Sequence, residues 1–321
     1  MTELAPSSAY LKIPDIEVDP DSPDYLEATF ASCAELARSH YENFSIASCL
    51  LPKHLKPHFY AIYAFARGVD DLGDEAVGDR LALLDLWDQE LTSCYNGKPS
   101  HPHFIALAKT IRLFDIPPLP FKRLIEANRR DQKPVRFGTF AEMLEYCTYS
   151  ANPVGHMLLY LAGINDEQLQ IISDKTCTAL QVTNFLQDIR RDYHIGRVYV
   201  PLEDFERFGV SEHQIRYGNF DANFRSLMAF EISRTRQMFV DGYQLIEHLD
   251  RSIRTDFALF VRGGLSILQT IENRNYDVLS SRPVLSKFEK TKILIATWVR
   301  SRLRTDLIPS SAFKSILKNN R

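Results

Sequence analysis

The chain has 321 residues, 45% hydrophobic and 25% charged, the balance of a folded globular protein, which excludes disorder as the main state. Its 38 basic residues against 41 acidic ones give a net charge of −3, which argues against a globally basic nucleic-acid binder. Glycine is scarce at 13 residues, and neither G-x-G-x-x-G nor G-x-x-x-x-G-K occurs, so neither a dinucleotide-binding fold nor a P-loop is indicated.

In chain order, residues 1–24 carry Glu3, Asp15, Glu17, Asp19, Asp21 and Asp24 against Lys12 alone, with four prolines, and read as an irregular acidic arm. No basic start leads into an apolar run, and no stretch reaches the ~18 apolar residues of a membrane span. The expected location is the cytoplasm, with peripheral contact at the inner face of the membrane left open.

From about residue 25 to 300 the dominant period is helical. Leu26, Phe30, Cys33 and Ala37 recur at the three-or-four spacing of an amphipathic helix. The stretch PHFYAIYAFARGVDDL is apolar on nearly every side, as a helix buried in a bundle should be. Further helical patterns follow to KFEKTKILIATWVRSRLRTDL, and the prolines fall between them, where a missing donor does least damage. Residues 198–200 form the nearest strand candidate. The expected organisation is therefore the arm 1–24, one all-α domain over 25–300 and a basic tail over 301–321. Five dispersed cysteines, with no C-x-x-C, read as reduced thiols.

Residues 282–321 hold ten Lys/Arg against Glu289 and Asp306, a net +8. A solvated helix face with a frayed tail is one reading. The other is attraction to anionic lipid headgroups, worth about 1 kcal/mol per basic residue near the surface.

Two carboxylate clusters carry the strongest chemical signal. In Arg67-Gly-Val-Asp70-Asp71-Leu-Gly-Asp74-Glu75, α-helical geometry puts Asp70 and Asp74 about 40° apart, with Arg67 one turn back. In the second cluster Gln181, Asn184, Asp188 and Asp192 fall within about 80° of one another, set among apolar Ala179, Leu180, Val182, Phe185 and Leu186. Like charges one turn apart repel, and burying them costs several kcal/mol. A hard divalent cation relieves both costs, and Mg²⁺ favours one or two carboxylates plus substrate phosphates over an all-protein cage. Arg67, Arg190, Arg191 and Arg197 would add charge-assisted contacts to the same anion. A structural ion-pair network is the alternative.

Phe44, Phe59, Tyr60, Tyr63, Phe65, Tyr146, Tyr149 and Phe185 lie near these clusters in sequence. Singly they read as core; together they could line an apolar pocket whose ring faces stabilise a carbocation.

These residues resemble the squalene/phytoene synthase family of head-to-head, trans-isoprenyl diphosphate synthases. YAFARGVDDLGDE is similar to the family's first aspartate-rich motif, and ALQVTNFLQDIRRDYHIGRVYVP to its second. YCTYSANPVGHML resembles the segment that supplies a pocket tyrosine, here Tyr146. Within the family, HYENFSIASCLLPKHLKPHFYAIYAFAR and SANPVG are most similar to the hydroxysqualene synthases of bacterial hopanoid biosynthesis.

The resemblance implies an all-α, single-domain isoprenoid-synthase bundle with a central cavity and Mg²⁺. It implies that Asp70 and Asp74 face Asp188 and Asp192 across the cavity mouth, with Tyr146 catalytic and Asp71 and Asn184 as further metal ligands. His40, Phe44, Tyr63, Arg67, Asn152, Gln181, Asn184 and Arg197 are the implied substrate-binding residues. Two departures stand out: Gln187 occupies a position where condensing relatives often have Arg, and Ser150-Ala151-Asn152 replaces small apolar residues. Asn152 either orients a water or caps a helix. The implied reaction converts presqualene diphosphate and water to hydroxysqualene and diphosphate. Head-to-head condensation of two farnesyl diphosphates uses the same clusters, and a non-catalytic lipid-binding or assembly role is the third reading. NADPH use and oligomeric state are not legible.

Overall fold

The computed structural model describes residues 14, 16–39, 51–303 and 306–308. His40, Phe44 and Cys49, most of the acidic arm and most of the basic tail lie outside the described residues.

The fold is all-α, as periodicity predicts. The described elements are α1 (Tyr25–Ser39), α2 (Lys56–Asp70), a π-helical turn (Asp71–Glu75), α3 (Arg80–Tyr95), α4 (Pro102–Phe114), α5 (Pro118–Arg130), β1 (Val135–Arg136), α6 (Phe140–Ser150), α7 (Asn152–Leu161), α8 (Glu167–His194), β2 (Arg197–Val198), α9 (Leu202–Phe208), α10 (Glu212–Tyr217), α11 (Ala222–Tyr243), a 3₁₀ turn (Gln244–His248), α12 (Arg251–Asn273) and α13 (Lys287–Leu303). Prolines at the first turns of α2, α4 and α5 supply a preset φ where no helical donor is needed. Asp166 starts the long α8 by accepting from the backbone of Gln168 and Leu169 at 2.8 and 3.2 Å.

The chain divides into two compact units, one running through Lys133 and including His156–Asn165, the other comprising Pro134–Gly155 and the residues from Asp166 onward. In the first unit α1, α2 and α4 pack mutually through Cys33, Ala61, Ala64 and Ala106. Small side chains there let the helix backbones approach. Beside them Phe65 meets Phe104 and Phe121 edge-on at centroid distances of 5.8 and 5.0 Å, and Trp87 meets Phe104 at 4.5 Å.

In the second unit α8 is central, packed against α6, α10, α11 and α12. Its buried stripe of Val182, Phe185, Leu186 and Ile189 enters a core with Phe224, Leu227, Ile232, Phe239 and Leu268. The strand candidate is real but shifted and minimal: Val135 and Arg136 pair in parallel with Arg197 and Val198. The connection continues as Leu202 and Glu203 donate to the carbonyls of Phe137 and Gly138 at 2.9 and 3.0 Å. This pairing fixes the chain after α8 and so positions Arg197 and Tyr199. The cysteines at 33, 94, 147 and 177 are free thiols, each pushed up to about 12 chiefly by burial.

Candidate active site

The first acidic cluster sits where α2 stops being α-helical. Ala76 N–H donates to Asp71 C=O at 2.9 Å, an i→i+5 bond that widens the turn by one residue. The α-helical spacing expected for Asp70 and Asp74 therefore fails beyond Asp70. Their charges still interact, and Asp70 is pushed up to about 6 by lost hydration, with Asp74 and Asp71 adding to the rise while Asn128 and Arg67 oppose it. Asp70 nevertheless keeps an accessible surface, so it is crowded rather than sealed.

Residues outside the motif hold this turn. Asn128, on α5, donates to Asp70 Oδ1 at 3.3 Å, and Gln132 donates to the Gly73 carbonyl at 3.0 Å. Arg80 donates to the carbonyls of Asp74 and Ala76, both at 2.9 Å. Gly73 is required by close approach, since a Cβ there would lie 2.1 Å from Asn128 Oδ1. None of these supports was predicted; only their polar character within otherwise helical segments hinted at them. Arg67, expected at the diphosphate, reaches Asp71 Oδ1 at 2.5 Å and Glu75 Oε1 at 2.9 Å. Tyr63 is half-buried, and its hydroxyl is raised mainly by burial, beside the charges of Arg67, Asp70 and Asp71.

The second cluster matches its predicted stripe. Gln181, Asn184, Asp188 and Asp192 are all at least partly accessible on α8, while Val182, Phe185, Leu186 and Ile189 are buried. Asp192 is pushed up to about 7, by burial first and then by Asp188, with Arg197, Arg191 and Arg282 opposing. Arg197 thus lies close enough to Asp192 to interact with its charge. Arg190 instead donates to the Leu279 carbonyl at 2.6 Å.

A loop from Asp277 to Pro283 covers the end of this stripe. Gln187 is buried and donates to the Pro283 carbonyl, and Arg282 holds Asp188 through two hydrogen bonds of 2.5 and 2.9 Å. The cation missing at position 187 is therefore supplied to Asp188 from the loop. Gln187, Asp188, Arg190, Arg191, His194 and Arg282 line an open recess of about 420 Å³.

The aromatic candidates separate. Phe59 and Phe65 are buried in the first unit, where Phe65 packs on Phe121. In the second unit Tyr146 lies 6.3 Å from Phe185 and 5.8 Å from Tyr199, and Phe185 stacks on Tyr199 at 3.9 Å. Phe137, 5.4 Å from Tyr146, completes the group; it and Tyr199 were not predicted. Asn152 is buried at the start of α7 and accepts from Thr178 at 2.9 Å, which ties it to α8.

Among the described residues no three acidic, His or Cys side chains converge into a ready-made metal cage. Both stripes nonetheless fit a hard cation. All their donors are oxygens, and each contains a carboxylate raised first by burial and further by a like-charged neighbour, a cost that a divalent ion would relieve.

An all-α chain with an aspartate-rich turn in one unit and an aspartate stripe on a core helix of the other has the fold of the isoprenoid synthases. The squalene/phytoene synthase family model matches residues 37–289, and the chain belongs to that family of head-to-head prenyl diphosphate enzymes. The squalene synthase HpnC from Alicyclobacillus acidocaldarius is 44% identical, superposes with a TM-score of 0.77, and the match covers 80% of this chain and 97% of that one. A dehydrosqualene synthase is 26% identical at a TM-score of 0.79, over 87% and 98% of the two chains. The 15-cis-phytoene synthase of Synechocystis sp. is 32% identical over 294 residues, 87% of each chain.

Proposed function

We propose that the protein is a hydroxysqualene synthase, converting presqualene diphosphate and water to hydroxysqualene and diphosphate. The observation that carries this reading is the 44% identity with a squalene synthase of the HpnC type, against 32% with a phytoene synthase.

Asp70, Asp71 and Asp74, with Asn184, Asp188 and Asp192, would hold Mg²⁺. When bound, the ion supplies Lewis-acid stabilisation to the departing diphosphate. Arg197 and Arg282 lie beside the second stripe, where positive charge favours the leaving group as its own charge grows. The rings of Tyr146, Phe185 and Tyr199 present apolar, electron-rich surface that tolerates a cationic hydrocarbon and excludes water during its rearrangement. Water then closes the reaction by forming the C–O bond, and its proton leaves with the released diphosphate.

Condensation of two farnesyl diphosphates is the second reading, favoured by the phytoene synthase relatives. Incubating the protein with Mg²⁺ and either diphosphate, without NADPH, and identifying the products by mass spectrometry separates the two. Hydroxysqualene from presqualene diphosphate alone is expected. Presqualene diphosphate or a C30 hydrocarbon from farnesyl diphosphate supports the condensation reading, and no diphosphate release from either substrate favours a non-catalytic role.

A further inference from the structure

Helix α13 has an inner side of mixed character and an apolar outer side. Its inner side packs against α12, with Thr297 fully buried. The rotation of the helix is fixed there by the hydroxyls of Thr255 and Ser301, which meet at 2.9 Å. The outer side therefore points outward by construction. It carries Phe288, Ile295, Val299 and Leu303 within about 80° of arc. Phe288 is 77% and Leu303 68% exposed, and Trp298 borders the stripe at 45%. Single exposed apolar residues are ordinary on a protein surface, but several in register on one helix form a patch that has a partner.

The charge around the patch identifies that partner. Lys292 projects within the same arc, and Arg302 flanks it on the Trp298 side, 5.4 Å from the Trp298 ring centre. The helix carries five basic residues against Glu289 alone, a net +4 in a chain of net −3. The sequence beyond it adds Arg304, Lys314, Lys318 and Arg321 against Asp306. A second copy docked symmetrically would oppose two such cationic helices, which like-charge repulsion disfavours. An anionic bilayer satisfies both features at once: apolar side chains enter the headgroup–acyl boundary, Trp suits the interface, and Lys and Arg extend to the phosphates. No helix among the described residues is long and apolar enough to cross a membrane.

We infer that the outer face of α13 docks the protein flat on an anionic membrane surface. The full chain is tested by co-sedimentation with phosphatidylcholine vesicles with and without phosphatidylglycerol. Binding is expected only to the anionic vesicles and weakens with added salt. Trp87 is buried, so a blue shift in emission on binding reports Trp298. The double substitution Phe288→Glu/Leu303→Glu lowers partitioning at least about tenfold, and Lys292→Gln lowers it about fivefold. Unchanged far-UV circular dichroism and melting temperature show that the variants fold. The inference is overturned by failure of the unmodified protein to bind anionic vesicles at low salt, or by binding that the double substitution leaves intact. Light scattering that shows a dimer dispersed by the same substitutions also overturns it, by assigning the face to a second copy.

Discussion

Arg282 grips Asp188 with two hydrogen bonds of 2.5 and 2.9 Å, joining a loop residue to a helix residue 94 positions away. The pair is partly exposed, with the carboxylate the more buried member. A cation approaching Asp188 must share or displace this guanidinium. Replacing Arg282 with Ala is therefore expected to tighten Mn²⁺ binding in the absence of substrate by about fivefold, the worth of a ~1 kcal/mol surface pair. Turnover falls in the same variant, because a charge available to the diphosphate is gone. Manganese titration by electron paramagnetic resonance checks the first effect; unchanged affinity would show that the pair does not compete with metal.

Asp74→Ala and Asp188→Ala are expected to reduce turnover to background while the far-UV circular dichroism stays near that of the unmodified protein. Asp74 is exposed, and Asp188 is partly buried but paired with the half-exposed Arg282, so neither loss opens the apolar core. Normal turnover in either variant would sink the two-stripe mechanism.

Gly73→Ala tests the support of the π-turn. The added methyl would meet Asn128 and push it off Asp70. Overpacking costs roughly 1–3 kcal/mol, whereas Gly→Ala in a helical backbone gains about 0.5–1 kcal/mol, so a net loss on the order of 1 kcal/mol is expected in denaturant melts. Activity should fall about tenfold or more, since small displacements at a reacting centre are costly.

The pH dependence of stability should carry a mark of Glu231. Its carboxyl is pushed up to about 7 by burial, against the pull of Arg234 and with Asp204 adding to the rise. Arg234 bonds both carboxylates, at 2.7 and 2.8 Å, so one cation serves two acids and a proton is retained. The unfolded chain releases that proton near pH 4.3, the folded chain near 7. Stability from this site is therefore complete below the unfolded value and declines as pH rises toward 7. The melting temperature should drop less between pH 5 and pH 8, a range of about 3 units, in Glu231→Gln than in the unmodified protein; equal drops would place the proton elsewhere.

Much of the architecture was legible because it is local. Apolar spacing and proline placement marked the helices, and the stripe from Gln181 to Asp192 followed from helical geometry, which holds along the whole of α8. The same arithmetic failed at Asp71–Glu75, where hydrogen bonds from Arg80 and Gln132 support a wider turn. Proximity in sequence says nothing about which way a ring points; packing against Phe104 and Phe121 directs Phe65 into the core.

By itself the sequence determined the helical class, the two acidic motifs and the family, because each depends on residues within a few turns of one another. Tertiary structure decided which groups support those motifs. Asn128 reaches Asp70 across 58 residues, Gln187 reaches Pro283 across 96, and Arg282 reaches Asp188 across 94. Only the packed chain brings such partners within hydrogen-bonding distance, and at that range a few ångströms decide whether a charge is compensated or left bare.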